Sequence, residues 1–221
     1  MKLKVCGMKY EENIRKIAAL QPDYLGFIFY GKSKRNFDGV IPELPKSINK
    51  TGVFVNATID FVVDKVQQYD LQAVQLHGDE SVEYIKELRQ AKLVSDSHNL
   101  ISKQVRNDFE IIKVFGIKES FNFDILKPYE SVVDYFLFDT KGKERGGNGI
   151  TFDWTVLEKY PYTKPFFLSG GIGLEQLKEL QKIRKTDLPI YALDVNSKFE
   201  VKAGLKSVEN IQRFKNEIST N

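Results

Sequence analysis

The chain has 221 residues, 42% hydrophobic and 29% charged, and its 33 basic against 30 acidic side chains leave a net charge of +3. That length suits one large α/β domain over residues 1–221, and the near-balance of charge, with no long run of like charges, argues against a nucleic-acid partner. A single cysteine, Cys6, excludes an internal disulfide framework and a cysteine-rich metal site.

The longest apolar stretch, "YLGFIFY", is far below the ~18 residues a membrane-spanning helix needs. Lys2, Lys4 and Lys9 leave no apolar core for a cleaved leader. A cytoplasmic protein without a membrane partner is therefore expected.

The first strand is predicted over Leu3–Cys6, followed by an amphipathic helix over Glu11–Leu20 with Ile14, Ile17 and Ala18 on one face. A second strand is predicted over Tyr24–Phe29 and a third over Thr51–Val55. A helix over Thr58–Tyr69 then opens on a Thr cap. Ala73–Leu76 reads as a strand and Ser81–Leu88 as a helix. The segment Ala91–Phe109 fits neither pattern; its "KLV" leaves a ninth strand open, and it reads as an irregular elaboration between elements. Further strands are predicted over Glu110–Phe115, Tyr135–Asp139, Phe166–Ser169 and Tyr191–Val195. Helices are predicted over Leu174–Ile183 and Ser207–Ile218. Most strands are near-continuous apolar runs, as parallel strands covered on both faces are. Eight strands interleaved with helices predict a (β/α)8 barrel.

Barrel active sites form where the strands end. Those ends carry Cys6, Ser33 and Arg35, His77, Asp139, "SGGIG" and "DVNS". Cys6 reads either as a small buried hydrophobe or as a base or nucleophile whose thiol neighbouring cations lower toward neutrality. Asp139 is either a helix cap or a partner of Lys141, or else a general acid raised by an apolar rim. Arg35 is either solvated or a fork for a carboxylate. His77 is either bonded to backbone or part of the binding rim. Glycines in "SGG", paired with "DVNS" on the next strand, let backbone N–H groups approach an anion, as in barrels that bind phosphate after strands seven and eight. With two histidines in the chain, a metal cage is not expected.

The stretches "KVCGMK", "DYLGFIFYGKSKR", "VFVN", "VQLHGDE", "FLFDTKGKERGGNGITFDW", "LSGGI" and "ALDVNSKFE", in this order, resemble the phosphoribosylanthranilate isomerase family. The resemblance implies a TIM barrel and an Amadori rearrangement within tryptophan biosynthesis. N-(5-phosphoribosyl)anthranilate would become 1-(2-carboxyphenylamino)-1-deoxyribulose 5-phosphate, without metal or organic cofactor. It implies Asp139 as the general acid that opens the furanose ring and Cys6 as the general base that takes the C2 proton. Arg35 would meet the anthranilate carboxylate. His77, Gly171, Asp194, Asn196 and Ser197 would complete the binding of a small phosphorylated substrate, with Asp194 orienting the loop or the sugar hydroxyls. Thr140 and Gly146 to Gly149 would belong to a mobile loop. The protein would be a monomer or a homodimer.

Lys198 stands where the family commonly has glycine, which puts the phosphate loop's geometry in question. A related synthase barrel would need a catalytic lysine and glutamates, and an epimerase barrel metal-binding histidines. A non-catalytic phosphate-binding barrel would lack the acid or the base. The related sugar isomerase of histidine biosynthesis would carry aspartate where Cys6 stands.

Overall fold

The computed structural model describes residues 1–94, 109–140 and 153–219. The strands are β1 (Lys2–Val5), β2 (Tyr24–Ile28), β3 (Asn49–Phe54), β4 (Ala73–Leu76), β5 (Glu110–Ile117), β6 (Tyr135–Thr140), β7 (Phe166–Leu168) and β8 (Ile190–Val195). Each pairs in parallel with the next, and β1 pairs with β8, closing the barrel. Closure removes the exposed edges that an open sheet would present.

Among the described residues, five α-helices accompany the strands: α1 (Glu11–Ala19), α2 (Ile59–Tyr69), α3 (Val82–Val94), α4 (Leu177–Ile183) and α5 (Val208–Ser219). Thr58 caps α2 as expected, accepting from the Phe61 amide. The helices correspond to the five predicted from the sequence, so the alternation is less regular than one helix after every strand. Between β2 and β3 the chain forms no helix, and Pro42 and Pro45 in that segment withhold backbone donors. Single 3₁₀ segments, Phe123–Tyr129 with Pro128 inside it and Trp154–Lys159, follow β5 and β6. The "KLV" stretch is not a ninth strand: α3 continues through it to Val94. The rest of the expected elaboration, 95–108, lies outside the described residues. A short antiparallel hairpin, β9 (Glu200–Lys202) with β10 (Leu205–Lys206), was not expected and follows β8 after a single 3₁₀ turn, Ser197–Phe199.

Strand alternation splits the interior into two separate clusters. One fills the lumen with Tyr24, Ala73, Ile112, Leu137, Phe167 and Ala192 among others. The larger lies between strands and their covering segments. Phe138 anchors the outer cluster with no exposed surface, making edge-on contacts to Phe166 at 5.0 Å and to Tyr160 at 5.7 Å. Replacing it by alanine leaves a cavity that packed rings on several sides cannot fill. Phe138→Ala is expected to lower stability by about 3–5 kcal/mol with an unchanged denaturant slope. Urea titration checks this, and a loss below about 1 kcal/mol would contradict the packing described.

Candidate active site

Strand parity places the site. Lys4 and Cys6 lie two positions apart on one face of β1, which the barrel turns inward. Register pairs Lys4 with Asp194 of β8, and their side chains form a buried ion pair at 2.9 Å. Cys6 sits one step above, with its backbone amide donating to the Val195 carbonyl at 2.9 Å. Gly26 of β2 makes the room: a Cβ there would lie 2.8 Å from the Cys6 sulfur.

Cys6, Arg35, His77, Asp139, Gly171, Asp194, Asn196 and Ser197, the eight residues singled out from sequence, all line one cleft at the strand ends. Gln75, Thr140, Ser169 and Lys198 line it with them.

Asp139 is buried, and its Oδ1 accepts from the Thr140 amide at 2.8 Å. His77 Nε2 stands 3.6 Å from Asp139 Oδ2, and Gln75 Nε2 lies 3.4 Å from His77 Nδ1. Burial, reinforced by the Asp194 carboxylate, pushes Asp139 up to about 7. That is the environment the sequence reading expected of an acid at an apolar rim.

Of the two readings left open for the thiol, lowering toward neutrality is not what the structure gives at rest. Burial holds Cys6 above its ordinary 9.0; Lys4 and Lys206 pull it down, Asp194 pushes it up, and burial wins. Cations are present, as anticipated, but desolvation outweighs them, so the resting group is a thiol.

Arg35 also departs from the simple picture. Its Nε donates to Glu200 at 2.8 Å and 3.1 Å, and its Nη2 donates to Glu200 at 2.6 Å. The fork expected for a ligand carboxylate already holds a protein carboxylate along one edge. Lys198, the departure in the phosphate loop, turns to Glu175 at 2.8 Å.

The glycine turn after β7 has the anticipated backbone. Gly170 (φ +90°) and Gly171 (φ +67°) occupy the left-handed region, and a Cβ on Gly170 would meet Thr140 Oγ1 at 2.3 Å. Among the described residues the amides of Gly170, Gly171 and Ile172 donate to no protein acceptor. The loop from 141 to 152, including Gly146 to Gly149, lies outside the described residues.

Lys4, Glu200 and Lys206 escaped the sequence reading. The alternation Lys4-Val5-Cys6 carried a signal for Lys4, since two inward positions on a buried strand cannot both be solvated. Glu200 and Lys206 gave no local signal, because their position depends on a hairpin that apolar periodicity does not reveal.

A family model described as N-(5'phosphoribosyl)anthranilate (PRA) isomerase matches residues 3–217. The chain belongs to this family. An N-(5'-phosphoribosyl)anthranilate isomerase from Parabacteroides distasonis is 39% identical, covering 97% of this chain and 91% of the relative. Another from Phocaeicola vulgatus is 35% identical over 99% and 98% of the two chains. The crystal structure of the Thermotoga maritima phosphoribosyl anthranilate isomerase superposes with a TM-score of 0.78 at 27% identity, covering all of both chains. A further isomerase structure, in complex with reduced 1-(o-carboxyphenylamino)-1-deoxyribulose 5-phosphate, superposes at 0.76 with 25% identity over the whole of both chains. The (β/α)8 barrel read from the sequence is thus the family's own, and the chain is an isomerase.

Asp139 couples the site to folding. Unfolded, it ionises near its ordinary 3.8; folded, near 7. Between those values the unfolded chain releases a proton that the folded one keeps, so stability falls as pH rises through this window. Asp139→Asn is therefore expected to be more stable than wild type above about pH 7, by about 4 kcal/mol, with the gap closing below about pH 4. Urea unfolding at both pH values checks this; a gap independent of pH would contradict a raised Asp139.

Proposed function

We propose that this isomerase converts N-(5-phosphoribosyl)anthranilate to 1-(2-carboxyphenylamino)-1-deoxyribulose 5-phosphate, a step of tryptophan biosynthesis, in the cytoplasm, as a monomer or a homodimer. One observation carries the reading: a carboxyl that keeps its proton up to about 7 and the chain's only cysteine line one cleft. An Amadori rearrangement needs those two functions, a proton given to oxygen and a proton taken from carbon.

Asp139 gives its proton to the furanose ring oxygen. The C1–O bond breaks and the nitrogen lone pair forms the Schiff base. The Cys6 thiolate then takes the C2 proton, and the electrons of that C–H bond move to give the enolamine. Tautomerisation places the carbonyl at C2. Protons and electrons balance across these steps, so no oxidant or reductant enters.

The remaining residues suit the two ends of this substrate. Gly171, Asn196 and Ser197 lie beside the glycine turn, whose left-handed backbone frees amides for a phosphate. Arg35 serves the anthranilate carboxylate through its end-on edge, the side-on edge being held by Glu200. Asp194, bound to Lys4, acts as an orienting acceptor for sugar hydroxyls and adds its charge to the burial that keeps Asp139 protonated. His77 beside Asp139 completes the acid's surroundings.

The test is turnover of phosphoribosylanthranilate generated in place, followed by its fluorescence loss with EDTA present. Cys6→Ala and Asp139→Asn are each expected to lower kcat by about 10²–10⁴-fold while remaining folded. Full activity of Cys6→Ala would return the thiol to a packing role. No turnover by the folded wild-type protein would overturn the substrate assignment.

A further inference from the structure

Arg35 and Asn196 meet a buried ionic cluster that gives or takes no proton in the proposed reaction. The β9–β10 register sets Glu200 directly opposite Lys206. Lys206 Nζ donates to Glu200 Oε1 at 2.7 Å and to Asn196 Oδ1 at 2.6 Å. The Gly204 amide donates to the same Glu200 oxygen at 2.9 Å. Lys206 itself is pinned from α1: buried Asn13 accepts from its amide at 2.8 Å and donates to its carbonyl at 2.9 Å. Side-chain exposure is 0% for Lys206, 6% for Glu200 and 17% for Arg35.

Burying such a cluster is expensive, because desolvation of each ion offsets most of the attraction. Stability alone is therefore a poor reason to build it. Its geometry supplies another. An arginine side chain has considerable rotamer freedom to lose before it can present a fork in one direction. Glu200 takes the side-on edge of Arg35, Nε with Nη2, in two parallel hydrogen bonds. The end-on edge, Nη1 with the second hydrogen of Nη2, is left in a fixed plane. Glu200 alone would cancel the charge of Arg35. Lys206 on its other side leaves the cluster with one net positive charge.

We propose that the Glu200–Lys206 pair is the positioning element that sets Arg35 across the cleft and so gives the site its preference for a substrate with a carboxylate on its aromatic end. The proposal rests on the reading of Arg35 as the partner of that carboxylate. Glu200 and Lys206 act through Arg35 and touch no reacting atom.

The experiment compares two ligands on wild type and on Glu200→Gln/Lys206→Met, a variant that removes one charge of each sign. One ligand is reduced 1-(o-carboxyphenylamino)-1-deoxyribulose 5-phosphate, which carries both carboxylate and phosphate. The other is ribose 5-phosphate, which carries only the phosphate. Dissociation of the first is expected to rise about tenfold or more in the variant, and of the second by less than about threefold. The KM for phosphoribosylanthranilate rises with it; kcat falls as well, because the variant removes the Lys206 charge that pulls the Cys6 thiol down, so the two-ligand comparison, which involves no proton transfer, is the deciding readout. Equal loss on both ligands, or no loss on either, would overturn the positioning role. Arg35→Met, run alongside, separates the two readings: unchanged affinity for the carboxylate ligand there would refute Arg35 as its partner. If the double variant does not fold, Lys206→Met alone gives the same comparison. It is again expected to weaken the carboxylate ligand more than ribose 5-phosphate, and equal weakening would again overturn the proposal.

Discussion

The parallel pairing of β1 with β8 is the constraint on which the site depends. It closes the barrel, and its register sets Lys4 opposite Asp194. Two charges that neither position could hold alone are thereby buried together. The same pairing fixes Cys6 through the Val195 carbonyl, one residue beyond the end of β1. It also carries Asp194 to where its charge reaches Asp139, two strands around the barrel. Lys4 therefore does for Asp194 what a solvent shell would do for an exposed acid, and its smaller pull on Asp139 is outweighed there by burial and by Asp194.

Burial acts on the thiol and the carboxyl in the same direction. Both are pushed toward their neutral forms, Asp139 to about 7 and Cys6 above 9.0. Between these values the pair holds a single proton, mostly on sulfur. The productive arrangement, with the proton on Asp139 and the charge on Cys6, has the same proton count and is the minor tautomer of that state. Its share is constant across the window, so a raised thiol does not abolish a base; it lowers the fraction poised to act. Lys4 and Lys206 limit that loss by pulling the thiol down against desolvation.

Much of this was legible in the chain. Tyr24–Ile28 and Ala73–Leu76 announce themselves as short apolar runs because both of their faces are covered, and the residues just past such runs must stand on the rim. That logic reaches Cys6, His77 and Asp139 without a neighbour in sequence. It fails where a side chain's partner is remote. "LKVC" reads as an apolar run only if Lys4 is overlooked, and nothing local says that Asp194, 190 residues on, neutralises it. Arg35 reads as a free fork because Glu200 is 165 residues away and delivered by an unanticipated hairpin. The sign of the Cys6 shift is illegible for the same reason: it is a balance between burial and cations, and only packing sets the balance. Periodicity predicts no helix between the second and third strands and none forms there, Pro42 and Pro45 withholding backbone donors.

The most direct measurement is the pH dependence of kcat/KM for phosphoribosylanthranilate, in wild type and Cys6→Ser. A pair sharing one proton predicts a bell for wild type, with its acid limb near 7 and its alkaline limb above about 9. Cys6→Ser, whose hydroxyl does not ionise in this range, should show severely reduced activity with no limb above 9. A wild-type profile that lacks the acid limb near 7, or one that Cys6→Ser reproduces at full height, would contradict the thiol–carboxyl pair as the centre of the reaction.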